Sequence, residues 1–242
     1  MCETCGCGDP HRVPVEVQEK ILAGNERQAA HNRARFGEHG VLAINLMGSP
    51  GAGKTAVLEA TARRLGPNRR LAAITGDLAT DRDAERLRAA GIPAHAITTG
   101  SACHLDAELV HRALHHVPLA GLDYLFIENV GNLVCPAVYD LGQAFNIVVL
   151  SVTEGWDKPL KYPVMFRVAD LVLVSKVDLL PHLGDVTLEA IAGALARVMP
   201  EPHLLAVSAQ TGQGIEEWKR WLEAQKAGIR TAPDSLRAHP SP

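Results

Sequence analysis

Apolar positions along the chain fall into two rhythms. Val13, Val17, Ile21 and Leu22 recur at helical spacing ahead of a polar stretch ending near His39, which predicts a helix over 13–38. Val41-Leu42-Ala43-Ile44-Asn45-Leu46-Met47 then forms a nearly unbroken apolar run, as expected of a strand covered on both faces. It runs straight into a glycine-rich loop and a helix over 56–65. Further strands are predicted at 71–75, 94–97, 122–127, 146–152, 171–174 and 204–207, and helices at 82–90, 106–116, 188–198 and 215–225. Strands that alternate with helices and are buried on both faces predict an α/β fold, a mostly parallel sheet with helices on each side. The expected organisation is a Cys/Gly-rich head over 1–12, a helical linker over 13–40, one domain over 41–225, and a tail over 226–242 without fixed structure. Pro233, Pro240 and Pro242 gather in that tail.

Composition narrows the classes. With 242 residues, 47% hydrophobic and only 4% aromatic, the core has to be built from Leu, Val, Ile and Ala. Net charge is −3 and no basic run stands out, so no nucleic-acid partner is expected. No apolar stretch reaches the ~18 residues of a membrane span, so no membrane partner is expected. The start, Met1-Cys2-Glu3-Thr4-Cys5, lacks the basic and apolar regions of a signal peptide, and the expected location is cytoplasmic.

Gly48-Ser49-Pro50-Gly51-Ala52-Gly53-Lys54-Thr55 matches G-x-x-x-x-G-K-[ST], after a strand and opening a helix. Glycines there let backbone N–H groups converge on phosphate oxygens at a helix N-terminus. Lys54 is expected at the β- and γ-phosphates, with Thr55 on Mg²⁺. Ser175-Lys176-Val177-Asp178 is similar to the guanine-reading N-K-x-D, and Ser208-Ala209-Gln210-Thr211-Gly212 to the S-A-x-T-G loop, which together point to GTP. Asp178 would accept from guanine N1–H and the exocyclic amine, which adenine cannot supply. Ser175 stands where Asn is usual, so a weaker site is expected. Glu128 and Gly131, in Glu128-Asn129-Val130-Gly131, are the expected Mg²⁺-side carboxylate and γ-phosphate sensor. Asp77 is a second carboxylate near the metal, at a strand's carboxyl end. No Gln stands ready to orient the attacking water, which predicts slow hydrolysis awaiting a partner or dimerisation.

Five cysteines offer soft ligands. Cys103, His104 and Cys135 supply two thiolates and an imidazole, a set suited to Zn²⁺ and acceptable to Ni²⁺, with buried free thiols as the plain alternative. Cys2, Cys5 and Cys7 crowd into six residues, a head that suits Ni²⁺ better than a closed Zn²⁺ site.

Four segments together resemble the HypB family, GTPases that help deliver nickel to [NiFe]-hydrogenase. They are residues 1–8, Thr99-Gly100-Ser101-Ala102-Cys103-His104-Leu105-Asp106-Ala107, residues 126–136, and residues 151–163 with Glu154-Gly155-Trp156-Asp157-Lys158-Pro159. The resemblance runs from residue 1 to about 225. It implies a P-loop GTPase that dimerises on GTP, with Cys103, His104 and Cys135 at the dimer interface binding Ni²⁺ or Zn²⁺. It also implies a nickel site at Cys2, Cys5 and Cys7, and two partners: the nickel chaperone HypA and the hydrogenase large-subunit precursor. Three features depart from the pattern: Ser175, Trp156 in place of an acidic residue, and no His-rich tract after the head. A urease-accessory-like GTPase and a metal buffer with an incidental GTPase are the alternatives. Directly adjacent Cys103-His104 counts against the first, and intact Lys54, Thr55 and Asp178 against the second.

Overall fold

The computed structural model describes residues 15–67 and 69–231. Seven strands form one sheet: β1 (Leu42–Met47), β2 (Leu71–Asp77), β3 (Ala94–Thr98), β4 (Tyr124–Glu128), β5 (Phe145–Ser151), β6 (Leu171–Ser175) and β7 (Leu204–Ala206). Their order is β3-β2-β4-β1-β5-β6-β7, and every pairing is parallel. The central strands β1, β4 and β6 are buried at every position, the burial that unbroken apolar runs predict. Register places Ile44 between Phe126 and Phe145, at the centre of the main core cluster.

Among the described residues eight α-helices cover the faces: α1 (Val15–Glu38), α2 (Lys54–Leu65), α3 (Arg82–Ala89), α4 (Ala107–Ala113), α5 (Lys158–Lys161), α6 (Pro163–Arg167), α7 (Leu188–Ala196) and α8 (Ile215–Thr231). Two of them, α5 and α6, are too short for a periodic pattern and were not expected; each has proline in its first turn, where a missing N–H costs nothing. On one face Trp218 of α8 is fully buried, and its indole N–H donates to the Thr61 hydroxyl of α2 at 2.9 Å.

Both ends of the domain differ from the expected plan. Helix α1 packs into the domain and is more than a linker: Ala29, Asn32 and Phe36 are buried. The Asn32 amide donates to the Ala107 carbonyl (2.8 Å), and Asn25 Oδ1 accepts from the Ala107 N–H (2.8 Å). Helix α8 runs six residues past its expected end at Gln225, into the segment read as tail. Lys226 is buried, and its ammonium donates to the carbonyls of Asp123 (2.8 Å) and Gly40. Those contacts tether the helix end beneath β1 and β4, an attachment that local composition does not reveal. The head cysteines Cys2, Cys5 and Cys7 lie outside the described residues.

Candidate functional site: phosphate loop and thiol cluster

The carboxyl ends of β1, β2, β4, β5 and β6 share one edge, where open α/β sheets bind ligands. β1 feeds the loop 48–53. Gly48 has φ +146°, and a Cβ there would run into the Val149 carbonyl, so only glycine fits against β5. Gly51 and Gly53 are left-handed. Lys54 is buried, and its ammonium donates to the carbonyls of Gly48 (3.3 Å) and Ser49 (3.2 Å). Burial lowers its pKa, opposed by the nearby charges of Glu128, Asp83, Glu154 and Asp77.

Two carboxylates converge on the Thr55 hydroxyl, Glu128 Oε1 at 2.8 Å and Asp83 Oδ1 at 2.9 Å. Glu128 is 3% exposed, and its Oε2 is buried without a hydrogen-bond partner. Burial pushes its pKa up to about 7, against the pull of Lys54. A threonine hydroxyl with two carboxylates, one holding a spare oxygen, is a hard-oxygen set that fits Mg²⁺ beside phosphates. Asp83, in the first turn of α3, is the residue that sequence reasoning missed. Asp77 does different work: its Oδ1 accepts the N–H groups of Ala79 (2.9 Å) and Thr80 (2.8 Å), shaping the loop into α3. Those bonds, the Ala79 N–H first, hold its carboxyl below the usual range.

On the base side, Lys176 is the single non-glycine residue with positive φ among the described residues (φ 59°), and its ammonium donates to the Gly51 carbonyl at 2.7 Å. Ser175 is buried, and its hydroxyl donates to the Ala52 carbonyl at 2.6 Å. The serine therefore still braces the phosphate loop although it lacks the usual amide. Asp178 follows in the 3₁₀ turn Val177–His182. The Ser208 hydroxyl accepts the Thr211 N–H at 3.1 Å, closing the 208–212 loop next to Ala209.

Cys103, His104 and Cys135 meet, although 32 residues separate the two cysteines; their ligand atoms all lie within 4.8 Å of one another. The thiols are free, with Sγ atoms 2.8 Å apart, and Cys103 Sγ is 3.8 Å from His104 Nδ1. A tetrahedral ion with sulfurs at about 2.3 Å would hold them about 3.8 Å apart. The Cys103 contact, then burial, raises the Cys135 pKa, and burial lowers that of His104. The Tyr139 ring stacks on His104 at 3.9 Å.

One segment belongs to both sites. It starts at Glu128, bridges Gly48 through Asn132, and reaches Cys135. A Cβ on Gly131 would come within 2.9 Å of Pro50, so the segment lies directly on the phosphate loop. Asn129 Oδ1 accepts the Leu105 N–H (3.0 Å), and its amide donates to Asn45 (3.1 Å), which donates to Asn146 (3.0 Å). The chain of amides joins the Cys103-His104 loop to three central strands.

The family model described as CobW/HypB/UreG, nucleotide-binding domain, matches residues 42–203. The hydrogenase maturation factor HypB of Azotobacter chroococcum mcd 1 is 52% identical over 227 residues, covering 93% of this chain and 73% of that one. The chain belongs to the HypB family.

Two further HypB proteins sharpen the comparison. Hydrogenase/urease maturation factor HypB of Helicobacter pylori is 42% identical over 216 residues, 88% of each chain. The crystal structure of H. pylori HypB in complex with nickel superimposes with a TM-score of 0.81 at 40% identity, covering 88% of this chain and 100% of that one. Archaeoglobus fulgidus HypB gives 0.78 at 40% identity, covering 85% and 100%. FlhF with GTP and Mg²⁺, at 18% identity and a TM-score of 0.52, shares the fold alone. Within the HypB frame the fold is a P-loop GTPase fold, as expected. Trp156 is 38% exposed, and the neighbouring carboxylate is Asp157, which pairs with Lys161 at 2.6 Å. Among the described residues no helix is long and apolar enough to cross a membrane.

Proposed function

We propose that this protein is a GTP-driven nickel metallochaperone for [NiFe]-hydrogenase maturation. The observation that carries the reading is the shared segment 128–135: one end holds the Mg²⁺-side carboxylate and the other a ligand of the thiol cluster, with the phosphate loop pressed between. GTP is taken by residues 48–55, with Asp178 selecting guanine. Thr55, Glu128 and Asp83 hold Mg²⁺, which neutralises charge on the β- and γ-phosphates. Gly131 senses the γ-phosphate, and its movement reaches Cys135. Nickel is the cargo of Cys103, His104 and Cys135, a site that also accepts zinc. The cysteine head at Cys2, Cys5 and Cys7 is a second nickel site.

Val134, Val138, Val164 and Trp156 are exposed. Val134 and Val138 flank the thiol cluster in the chain, which supports a GTP-dependent homodimer that covers it. Hydrolysis is slow and reopens the dimer, and HypA and the hydrogenase large-subunit precursor are the protein partners. The cytoplasm is the compartment where such partners and reduced thiols meet.

Nickel titration of apo, GDP-bound and GTP-analogue-bound protein tests the reading. Linkage requires that GTP and nickel alter each other's affinity by the same factor. Identical nickel affinity in all three states would sink it.

A further inference from the structure

Away from both sites, three imidazoles meet where α1 packs on α4. His111 stands on α4, His115 in the turn that ends it, and His31 on α1. Ring centres are 5.1 Å apart for His31 and His111, and 5.4 Å for His111 and His115, each pair nearly perpendicular. The scaffold is fixed, because Asn25 and Asn32 of α1 grip both backbone groups of Ala107 at the start of α4. His111 Nδ1 is buried with no hydrogen-bond partner, an arrangement that native structures rarely leave standing.

Edge-to-face ring contacts set this spacing, and metal geometry asks for nearly the same one. An ion bound by an imidazole nitrogen at about 2.0–2.1 Å lies about 3 Å from the ring centre, so two rings on one tetrahedral ion have centres about 5 Å apart. His111 and His115 are four residues apart, across the end of α4 and the turn that follows it; on a continuous helix that spacing binds zinc elsewhere. Glu108, at i−3 from His111, adds a carboxylate whose charge already acts on that ring. Burial, then the neighbouring His31 charge, keeps His111 in its neutral, ligating form.

We propose that His31, His111 and His115, with Glu108, form a second metal site that takes a borderline divalent cation, nickel or zinc. Its donors are imidazole and carboxylate, without thiolate, which suits such ions. The rings now stand edge to face, and among the described residues only Cys103, His104 and Cys135 bring three ligand atoms within 4.8 Å. Loading therefore turns the exposed rings of His31 and His115 toward His111. The site lies on the helix that begins just after the thiol cluster, and it depends on neither GTP nor the chaperone reading.

The test uses the full chain with Cys2, Cys5, Cys7, Cys103 and Cys135 all changed to Ser, titrated with nickel alone by equilibrium dialysis. We expect binding that His111→Gln weakens by at least the roughly tenfold that losing even an outer-shell partner costs elsewhere, and that His115→Gln also weakens. Zinc added to the same protein should shift the imidazole NMR signals of His31, His111 and His115 together. Absence of nickel binding, or binding untouched by both substitutions, overturns the proposal. If the cysteine-free chain does not fold, the native chain decides: His111→Gln with His115→Gln should bind one nickel fewer with the thiolate–metal absorption unchanged, and an unchanged count overturns it.

Discussion

The phosphate loop and the thiol cluster sit at the same edge of the sheet and are built in opposite ways. Around the loop most positions are constrained. Gly48 has no room for a Cβ, Lys54 and Thr55 are buried, and Ser175 and Lys176 hold the loop carbonyls from β6. The thiol cluster lies half-exposed on a loop and a 3₁₀ turn, beside exposed Val134 and Val138. One site is packed against the sheet edge, and the other sits on a loop and a turn open to solvent. A switch needs this asymmetry, since a rigid input can bias an output only if the output has somewhere to move.

The largest expected effect comes from breaking the rigid half. Lys54→Ala removes the buried ammonium on which the charges of Glu128, Asp83, Glu154 and Asp77 act. GTP hydrolysis should fall by at least about a hundredfold, the cost of deleting a preorganised charge at a reacting phosphate, while nickel still binds to the thiol cluster of the nucleotide-free protein. Steady-state phosphate release and nickel dialysis on one sample check both halves. Loss of both together would mean that the sites are not separable.

Next comes a pH effect within the rigid half. Glu128 is raised from 4.5 to about 7. A raised carboxylate favours the protonated folded form, so its stabilising contribution is complete below about pH 4.5 and is lost as pH climbs through 7. For a group this buried the change is about 3 kcal/mol. Between pH 5 and pH 7.5, urea unfolding of the nucleotide-free wild type should lose roughly 2 kcal/mol of stability relative to Glu128→Gln, the part of the change that falls within that window. A wild-type-minus-variant difference that does not move with pH would show that burial is not the dominant influence on Glu128. Mg²⁺ with GTP should restore stability at the higher pH, where the ionised carboxylate is wanted.

These two expectations divide along what the chain discloses. Unbroken apolar runs such as Leu171–Ser175 announce buried parallel strands, and the glycine spacing of 48–55 announces its loop. Asp83 is different. It sits in Arg82-Asp83-Ala84-Glu85, a charged stretch like any solvated helix face, and only the Asp77-shaped loop turns it onto Thr55. Cys103 and Cys135 could be read as ligands from their chemistry, but their convergence depends on β4 lying beside β2 and on Asn129 reaching Leu105. Lys226 falls in the stretch whose composition reads as tail, because a single buried ammonium leaves no local pattern. Positions governed by period or backbone conformation were legible; those governed by tertiary approach were not.

A smaller effect is expected from the segment joining the halves. Gly131→Ala introduces a methyl within 2.9 Å of Pro50, so either the loop or the 128–135 segment has to shift. Each site should still bind its own ligand. The factor by which a GTP analogue changes nickel affinity should drop toward one, a loss within the 1–3 kcal/mol typical of coupling energies. Undiminished coupling would show that the sites communicate by another route, with the Asn129–Asn45–Asn146 amides next to be tested.

The smallest expected effect tests the substitution that the family pattern left in question. Ser175 donates to the Ala52 carbonyl at 2.6 Å and accounts for one of the ties holding the phosphate loop to β6; Lys176 supplies another at Gly51. Ser175→Ala leaves a buried carbonyl without that partner, a change of about 1 kcal/mol and therefore a few-fold weaker GTP binding. Ser175→Asn offers an amide donor in place of the hydroxyl but is larger, at a position that is 2% exposed. If the hydroxyl is a full substitute for the amide, Asn gains nothing and Ala loses a few-fold. If the amide matters beyond this tie, Asn tightens GTP binding over wild type. Fluorescent-nucleotide titration of the three proteins separates these outcomes, and the rank order tells whether the loop's rigidity comes from one bond to Ala52 or from contacts that serine cannot make.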